Sequence, residues 1–138
     1  MALKQYRLSS AAISKLLLWG FMLVLLTATH LPPSSSLLPS EVQNFDKVFH
    51  FTAYSILAGL LATAWQLSSG ILTSRHLRWV WCAVAIFGAL DELTQIAFDR
   101  DCSIWDWSAD VAGAACGLLV FAWLRGRLVA RGCATEVQ

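Results

Sequence analysis

Four apolar stretches, at 13–31, 48–67, 77–98 and 105–124, take up most of this 138-residue chain. No other feature constrains the fold as tightly. Each stretch is close to the ~20 residues that an α-helix needs to cross a hydrocarbon core at about 1.5 Å per residue. The connections between them are short, which leaves almost no soluble mass. Charged residues make up only 14% of the chain and the mean hydropathy is +0.60, far too apolar for a soluble domain of this size. The expected fold is all-α: an integral membrane four-helix bundle. It comprises an N-terminal segment 1–12, a transmembrane domain 13–124 and a tail 125–138.

The basic residues set the expected orientation. Lys4, Arg7 and Lys15 flank the first segment, Arg75 and Arg78 lie between the second and third, and Arg125, Arg127 and Arg131 follow the fourth. These eight fall on one side and only Lys47 and Arg100 on the other, so the positive-inside rule places both termini in the cytoplasm. Trp19, Trp65, Trp79, Trp81 and Trp123 then sit toward the inner interface, and Trp105 and Trp107 toward the outer one, as an aromatic belt. The basic start, the apolar run at 16–26 and Ala28 also resemble a signal peptide. However, His30 and Leu31 interrupt any A-x-A cleavage site, so an uncleaved anchor is expected.

The acids are not scattered. Of nine Asp and Glu residues, eight fall in two stretches: Glu41 and Asp46, then Asp91, Glu92, Asp99, Asp101, Asp106 and Asp110. A carboxylate at the centre of a membrane helix costs roughly 2.5–3.5 kcal/mol to insert, so such groups face the bundle interior and need partners. Asp46, His50 and Tyr54 share one helical stripe at i, i+4, i+8, with Lys47 one step round. Asp91 and Gln95 share a face, and Gly88, Glu92 and Gln95 share the next. Asp91 and Glu92 point about 100° apart, toward different partners. Asp106 and Asp110 lie on one face of the last segment, where Ala109, Gly113 and Gly117 form a small-xxx-small ladder for close helix packing. That ladder also offers a face for a homodimer. A capping box at Ser40-Glu41-Val42-Gln43 starts the second helix. All the unusual polar residues thus converge near the outer face.

Order and spacing of these residues resemble a known family. Asp46-Lys47, His50 and Tyr54, then Glu92, Gln95, Arg100, Ser103, Asp106, Gly113 and Gly117, are similar to the VanZ-like family of bacterial membrane proteins. Its pattern is D-K-x-x-H-x-x-x-Y, then E-x-x-Q, an Arg, and S-x-x-D-x-x-x-N-x-x-G-x-x-x-G. Asp110 departs from it, standing where many members have Asn. The resemblance covers about 46–117. It implies an envelope protein related to an accessory factor that lowers susceptibility to teicoplanin, a lipid-tailed glycopeptide. Some members carry names of the phosphotransbutyrylase kind, but this chain has no coenzyme or phosphate-binding loop.

Two classes of function follow. In the first, an outward-facing polar site engages a lipid headgroup, a lipid-linked cell-wall precursor or a lipoglycopeptide. Asp46, Lys47, His50, Tyr54, Asp91, Glu92, Gln95, Arg100, Ser103, Asp106 and Asp110 are its candidate ligand-binding residues. Arg100 supplies a planar fork for phosphate or carboxylate, or else clamps the outer loop to Asp106. In the second, a membrane-embedded hydrolase or transferase acts on a phosphorylated or glycosylated lipid, with His50, Glu92 and Asp106 as candidate catalytic groups. His50 with Asp46, Glu92, Asp106 and Asp110 offers ligand types that suit a divalent metal, although no compact metal motif occurs. A purely structural polar cluster is the alternative to both. An ion conduit through Asp91 and Asp110 is disfavoured, because Leu, Val and Gly seal the inner halves of the helices. Cys82, Cys102, Cys116 and Cys133 show no metal spacing and no disulfide framework. No basic patch points to nucleic acid.

Overall fold

The computed structural model describes residues 9–30, 43–98 and 102–135, the side chains at 43, 44 and 131–135 aside. It contains four long helices: α1 (Ser10–His30), α2 (Gln43–Ser69), α3 (Ser74–Gln95, with a 3-10 turn at Ile96–Phe98) and α4 (Ile104–Thr135). All four are long and apolar enough to cross a membrane. The helices overrun the apolar stretches because helix formation does not stop where hydropathy falls.

The apolar residues face outward as well as inward. Trp19, Leu23, Ile86 and Leu119 are each more than 60% exposed, at 65%, 69%, 62% and 71%. No soluble monomer presents a surface of this kind; lipid is the solvent that suits it. The interior is built from small side chains. Ala58, Ala62 and Ala114 are fully buried, and Leu25, Val80 and Val84 fill the space beside them. The chain is a multi-pass membrane protein.

The pairing of α2 with α4 dominates the bundle. These two helices run parallel: His50 meets Asp110, Phe51 meets Gly113 and Ser55 meets Gly117. A Cβ at Gly113 would run into the Phe51 carbonyl oxygen, and one at Gly117 into the Ser55 carbonyl oxygen. The glycine Cα hydrogens face those oxygens instead, the weak C–H···O contact that recurs where helices touch backbone to backbone. The small-residue ladder is thereby used within the chain. Within the chain, α2 covers that face at Gly113 and Gly117.

α1 packs mainly on α2, and α3 on α4. Two indoles tie α3 to α4. Trp81 Nε1 donates to the Val111 carbonyl at 3.1 Å, and Trp107 Nε1 donates to the Ala85 carbonyl at 3.0 Å. Each indole N–H is thereby met by a backbone carbonyl of the neighbouring helix.

The two ends of the bundle differ in chemistry. At one end Gly70, with φ 90°, closes α2 in the left-handed conformation that suits glycine. Thr73 caps α3, and Arg125 reaches across to donate to the Leu72 carbonyl at 2.6 Å. Arg127 stacks over Trp123 with its guanidinium carbon 4.5 Å from the ring centre. The opposite end holds the acids.

Candidate functional site

The acid end is organised around His50, about two turns into α2. His50 is 2% exposed, and its Nδ1 lies 2.9 Å from Asp110 Oδ1 on α4. The parallel α2–α4 register puts them together, since His50 directly precedes Phe51 and Asp110 lies three residues before Gly113, the first of the two backbone contacts. Glu92 of α3 joins the pair, with Oε1 3.8 Å from His50 Nδ1. On the other side of the ring, Nε2 lies 4.0 Å from Asp46 Oδ1, four residues earlier on the same helix. The stripe of Asp46, His50 and Tyr54 expected from spacing is therefore real, and it faces α3 and α4.

Glu92 and Asp91 serve different partners. Glu92 Oε2 accepts the Ser103 backbone N–H at 2.9 Å, which fixes the carboxylate. Asp91 instead links three helices. Its Oδ1 accepts from the Thr29 hydroxyl at 3.0 Å and its Oδ2 from the Tyr54 hydroxyl at 3.1 Å. A buried carboxylate keeps its place only when its lone pairs are met, and both hydroxyls come from apolar surroundings. Tyr54→Phe should therefore lower the unfolding free energy by about 1–3 kcal/mol, the cost of a buried acceptor left unmet. Thermal unfolding in detergent reads this directly, and a stability within a few tenths of a kcal/mol of the parent would remove Tyr54 from Asp91's support.

Ser103 is occupied as the N-cap of α4. Its hydroxyl accepts the Asp106 N–H at 3.3 Å, and its carbonyl accepts the Asp106 and Trp107 N–H groups at 3.1 Å each. Asp106 meets Lys47, with Nζ 3.7 Å from Oδ1. Arg100, the partner expected for Asp106, lies outside the described residues, as does the capping box at Ser40. Gln95 is buried at 2% exposure, its Nε2 meeting no hydrogen-bond partner among the described residues, and Ala109 is half-buried on α4.

Two residues of the site were not legible in the sequence. Thr29 and His30 close the cluster from α1. His30 Nδ1 lies 3.6 Å from Asp91 Oδ1, and its Nε2 lies 3.0 Å from Thr94 Oγ1. Their signal is faint: polar residues ending an apolar run, at the depth where the other helices carry their acids.

The site combines buried charge with unmet valence. Asp91, Glu92, Asp106 and Asp110 are 2%, 3%, 8% and 0% exposed. Among them Glu92 Oε1, Asp106 Oδ1 and Asp110 Oδ2 accept no hydrogen bond from the described residues. Gly88 makes room for Asp110: a Cβ there would sit 2.9 Å from Oδ2 and 3.1 Å from Tyr54 Cε1. His50, Glu92 and Asp110 could hold a divalent metal, with one ligand atom from each lying within 4.8 Å of the others. A largely apolar groove of about 480 Å³ runs between α3 and α4, lined by Ala89, Glu92, Leu93, Ser103 and Trp107 among others, so that Glu92 stands both in the cluster and on the groove wall. Cys102 also borders it; Cys82, Cys102 and Cys116 are free thiols.

A family model described as VanZ/LLP1 matches residues 4–125. No curated protein and no solved structure matches the chain.

Proposed function

The chain belongs to the VanZ/LLP1 family, and from that premise we propose that its acid end is an outward-facing site for the headgroup of a lipid or lipid-linked cell-wall precursor. In this reading both termini are cytoplasmic, as the distribution of Lys and Arg favours. The observation that carries it is the groove between α3 and α4 that has Glu92 on its wall. Its largely apolar lining suits a lipid chain, and Glu92 also belongs to the polar cluster, 3.8 Å from His50. Arg100, three residues before Ser103 in the sequence, offers a fork for phosphate or carboxylate. Occupying this site would limit access of lipid-tailed glycopeptides such as teicoplanin to the surface.

The test is teicoplanin susceptibility of a sensitive Gram-positive host that expresses the chain, with vancomycin as the untailed control. Protection against teicoplanin alone is expected. Arg100→Ala and Asp106→Asn should lose it at unchanged membrane abundance. Full protection from both variants would overturn the site, and no protection from the parent chain would detach it from glycopeptide resistance.

A second reading is an enzyme acting on a phosphorylated or glycosylated lipid. The 2.9 Å contact between His50 and Asp110 favours it, because a carboxylate orients an imidazole for proton transfer. Turnover of a defined lipid by purified protein, abolished in His50→Gln, would establish it.

A further inference from the structure

We propose that His50, Glu92 and Asp110 form a buried binding site for one divalent transition-metal ion. Three separate features of the geometry meet there.

First, the three side chains come from three helices and bring one ligand atom each within 4.8 Å of the others. His50 Nδ1 lies 2.9 Å from Asp110 Oδ1 and 3.8 Å from Glu92 Oε1. Ligand atoms around an ion with bonds of about 2.0–2.2 Å stand roughly 3–3.5 Å apart, so small side-chain rotations convert this cluster into a coordination sphere. Second, Glu92 is 3% exposed and its Oε1 accepts no hydrogen bond from the described residues, while its Oε2 is anchored by the Ser103 N–H. The carboxylate is thus held with an unmet, desolvated oxygen aimed at His50. Third, the far nitrogen of His50 already has a carboxylate near it, Asp46 Oδ1 at 4.0 Å. At that distance Asp46 acts through its charge rather than through a direct hydrogen bond: it favours a proton on Nε2, which leaves the Nδ1 lone pair for the ion, as outer-sphere carboxylates do for metal-bound histidines.

Charge supports the same conclusion. Four acids are buried at this end, and among the described residues the cations facing them are Lys47 and, when protonated, His30 and His50. Asp91 is satisfied by Thr29 and Tyr54 and stands outside the sphere. A doubly charged ion between Glu92 and Asp110 offsets two carboxylates held away from water. One imidazole and two carboxylates select Zn²⁺ or Mn²⁺ rather than Mg²⁺, which keeps its water and prefers all-oxygen sites. Three protein ligands leave a coordination position for water or another oxygen donor. The proposal stands on this geometry alone and does not depend on the headgroup reading.

The experiment uses the full chain purified in detergent and stripped with a chelator. It is then equilibrated separately with Zn²⁺, Mn²⁺ or Mg²⁺, passed over a desalting column and analysed for metal per chain. Wild type should retain close to one equivalent of Zn²⁺ or Mn²⁺ and little Mg²⁺. Glu92→Gln and Asp110→Asn, which keep shape, should each bind at least tenfold more weakly. Gly59→Ala, at a position with nothing within 4 Å of an added Cβ, should bind like wild type. With Co²⁺ as probe, wild type should show visible ligand-field bands that Glu92→Gln lacks. Should Glu92→Gln fail to elute as a folded species, Asp110→Asn decides in the same way. Wild type that retains under a tenth of an equivalent of either ion overturns the site, as does undiminished binding by both ligand variants. Metal content is read without antibiotic, so its failure leaves the headgroup reading intact, and loss of the resistance effect leaves the metal result intact.

Discussion

Gly117→Val should prevent the bundle from forming, and Gly113→Val should do nearly the same. The reason is backbone contact. A Cβ at position 117 collides with the Ser55 carbonyl oxygen and lies 2.8 Å from its carbon, and these are main-chain atoms of a helix that cannot step aside alone. Relief requires α2 and α4 to separate. Separation would break the His50–Asp110 contact and open the interior around Ala58 and Ala114, which are fully buried. Overpacking a well-filled core costs about 1–3 kcal/mol, and more where backbone must move. In a bilayer, packing and interhelical polar contacts hold helices together, with little hydrophobic drive to compensate. Gly59 supplies the control, because nothing lies within 4 Å of a Cβ there. Gly59→Ala should be neutral or gain up to about 1 kcal/mol from helix propensity. Fluorescence-detected size exclusion and thermal midpoints compare the three. A Gly117→Val protein as monodisperse and stable as Gly59→Ala would mean that α2 and α4 do not touch as described.

His50→Ala should be the second large loss. His50 Nδ1 faces both Asp110 and Glu92, and removing the imidazole leaves Asp110 Oδ1 without its 2.9 Å partner, next to a Glu92 held by the Ser103 N–H. Breaking a buried ionic contact from one side costs on the order of 3–5 kcal/mol. Removing both partners is different in kind. In His50→Leu/Asp110→Leu the desolvation cost of imidazole and carboxylate disappears together, and apolar side chains suit the surrounding bundle. The double variant should recover most of the stability lost by His50→Ala. Denaturation in mixed micelles of defined composition gives the comparison. A double variant no better than the single one would show that the contact contributes net stability, and the polar cluster would then be a fold determinant. Recovery would show instead that the cluster is maintained at a cost in stability, as functional groups within membranes are.

Much of the site was legible before any coordinates. The acids announced themselves because a bilayer makes carboxylates expensive, so their clustering in otherwise apolar sequence carries information. Helical spacing placed Asp46, His50 and Tyr54 on one stripe, and spacing also separated Asp91 from Glu92. Both hold in three dimensions, where Asp91 goes to Thr29 and Tyr54 while Glu92 goes to Ser103 and His50. The small-residue ladder was correctly a close-packing face, but its partner was not readable. Spacing tells which residues share a face of one helix and is silent on which helix comes to meet it. For the same reason Lys47 as the neighbour of Asp106, and Trp81 and Trp107 as staples between α3 and α4, appear only in the folded chain.

The sequence by itself determined the number of spans, the apolar exterior and the depth at which polar groups gather. Those follow from the length and cost rules of a hydrocarbon slab, which act on each segment separately. The tertiary structure alone decided that α2 and α4 lie parallel and in contact, that Thr29 and His30 close the site from α1, and that His50, Glu92 and Asp110 meet. In water an amphipathic stripe marks the face that will be buried. In lipid the outside of a helix is as apolar as its inside, so no stripe remains to read. Which faces meet is settled by backbone fit at two glycines and by carboxylates that find their partners only once the helices have packed.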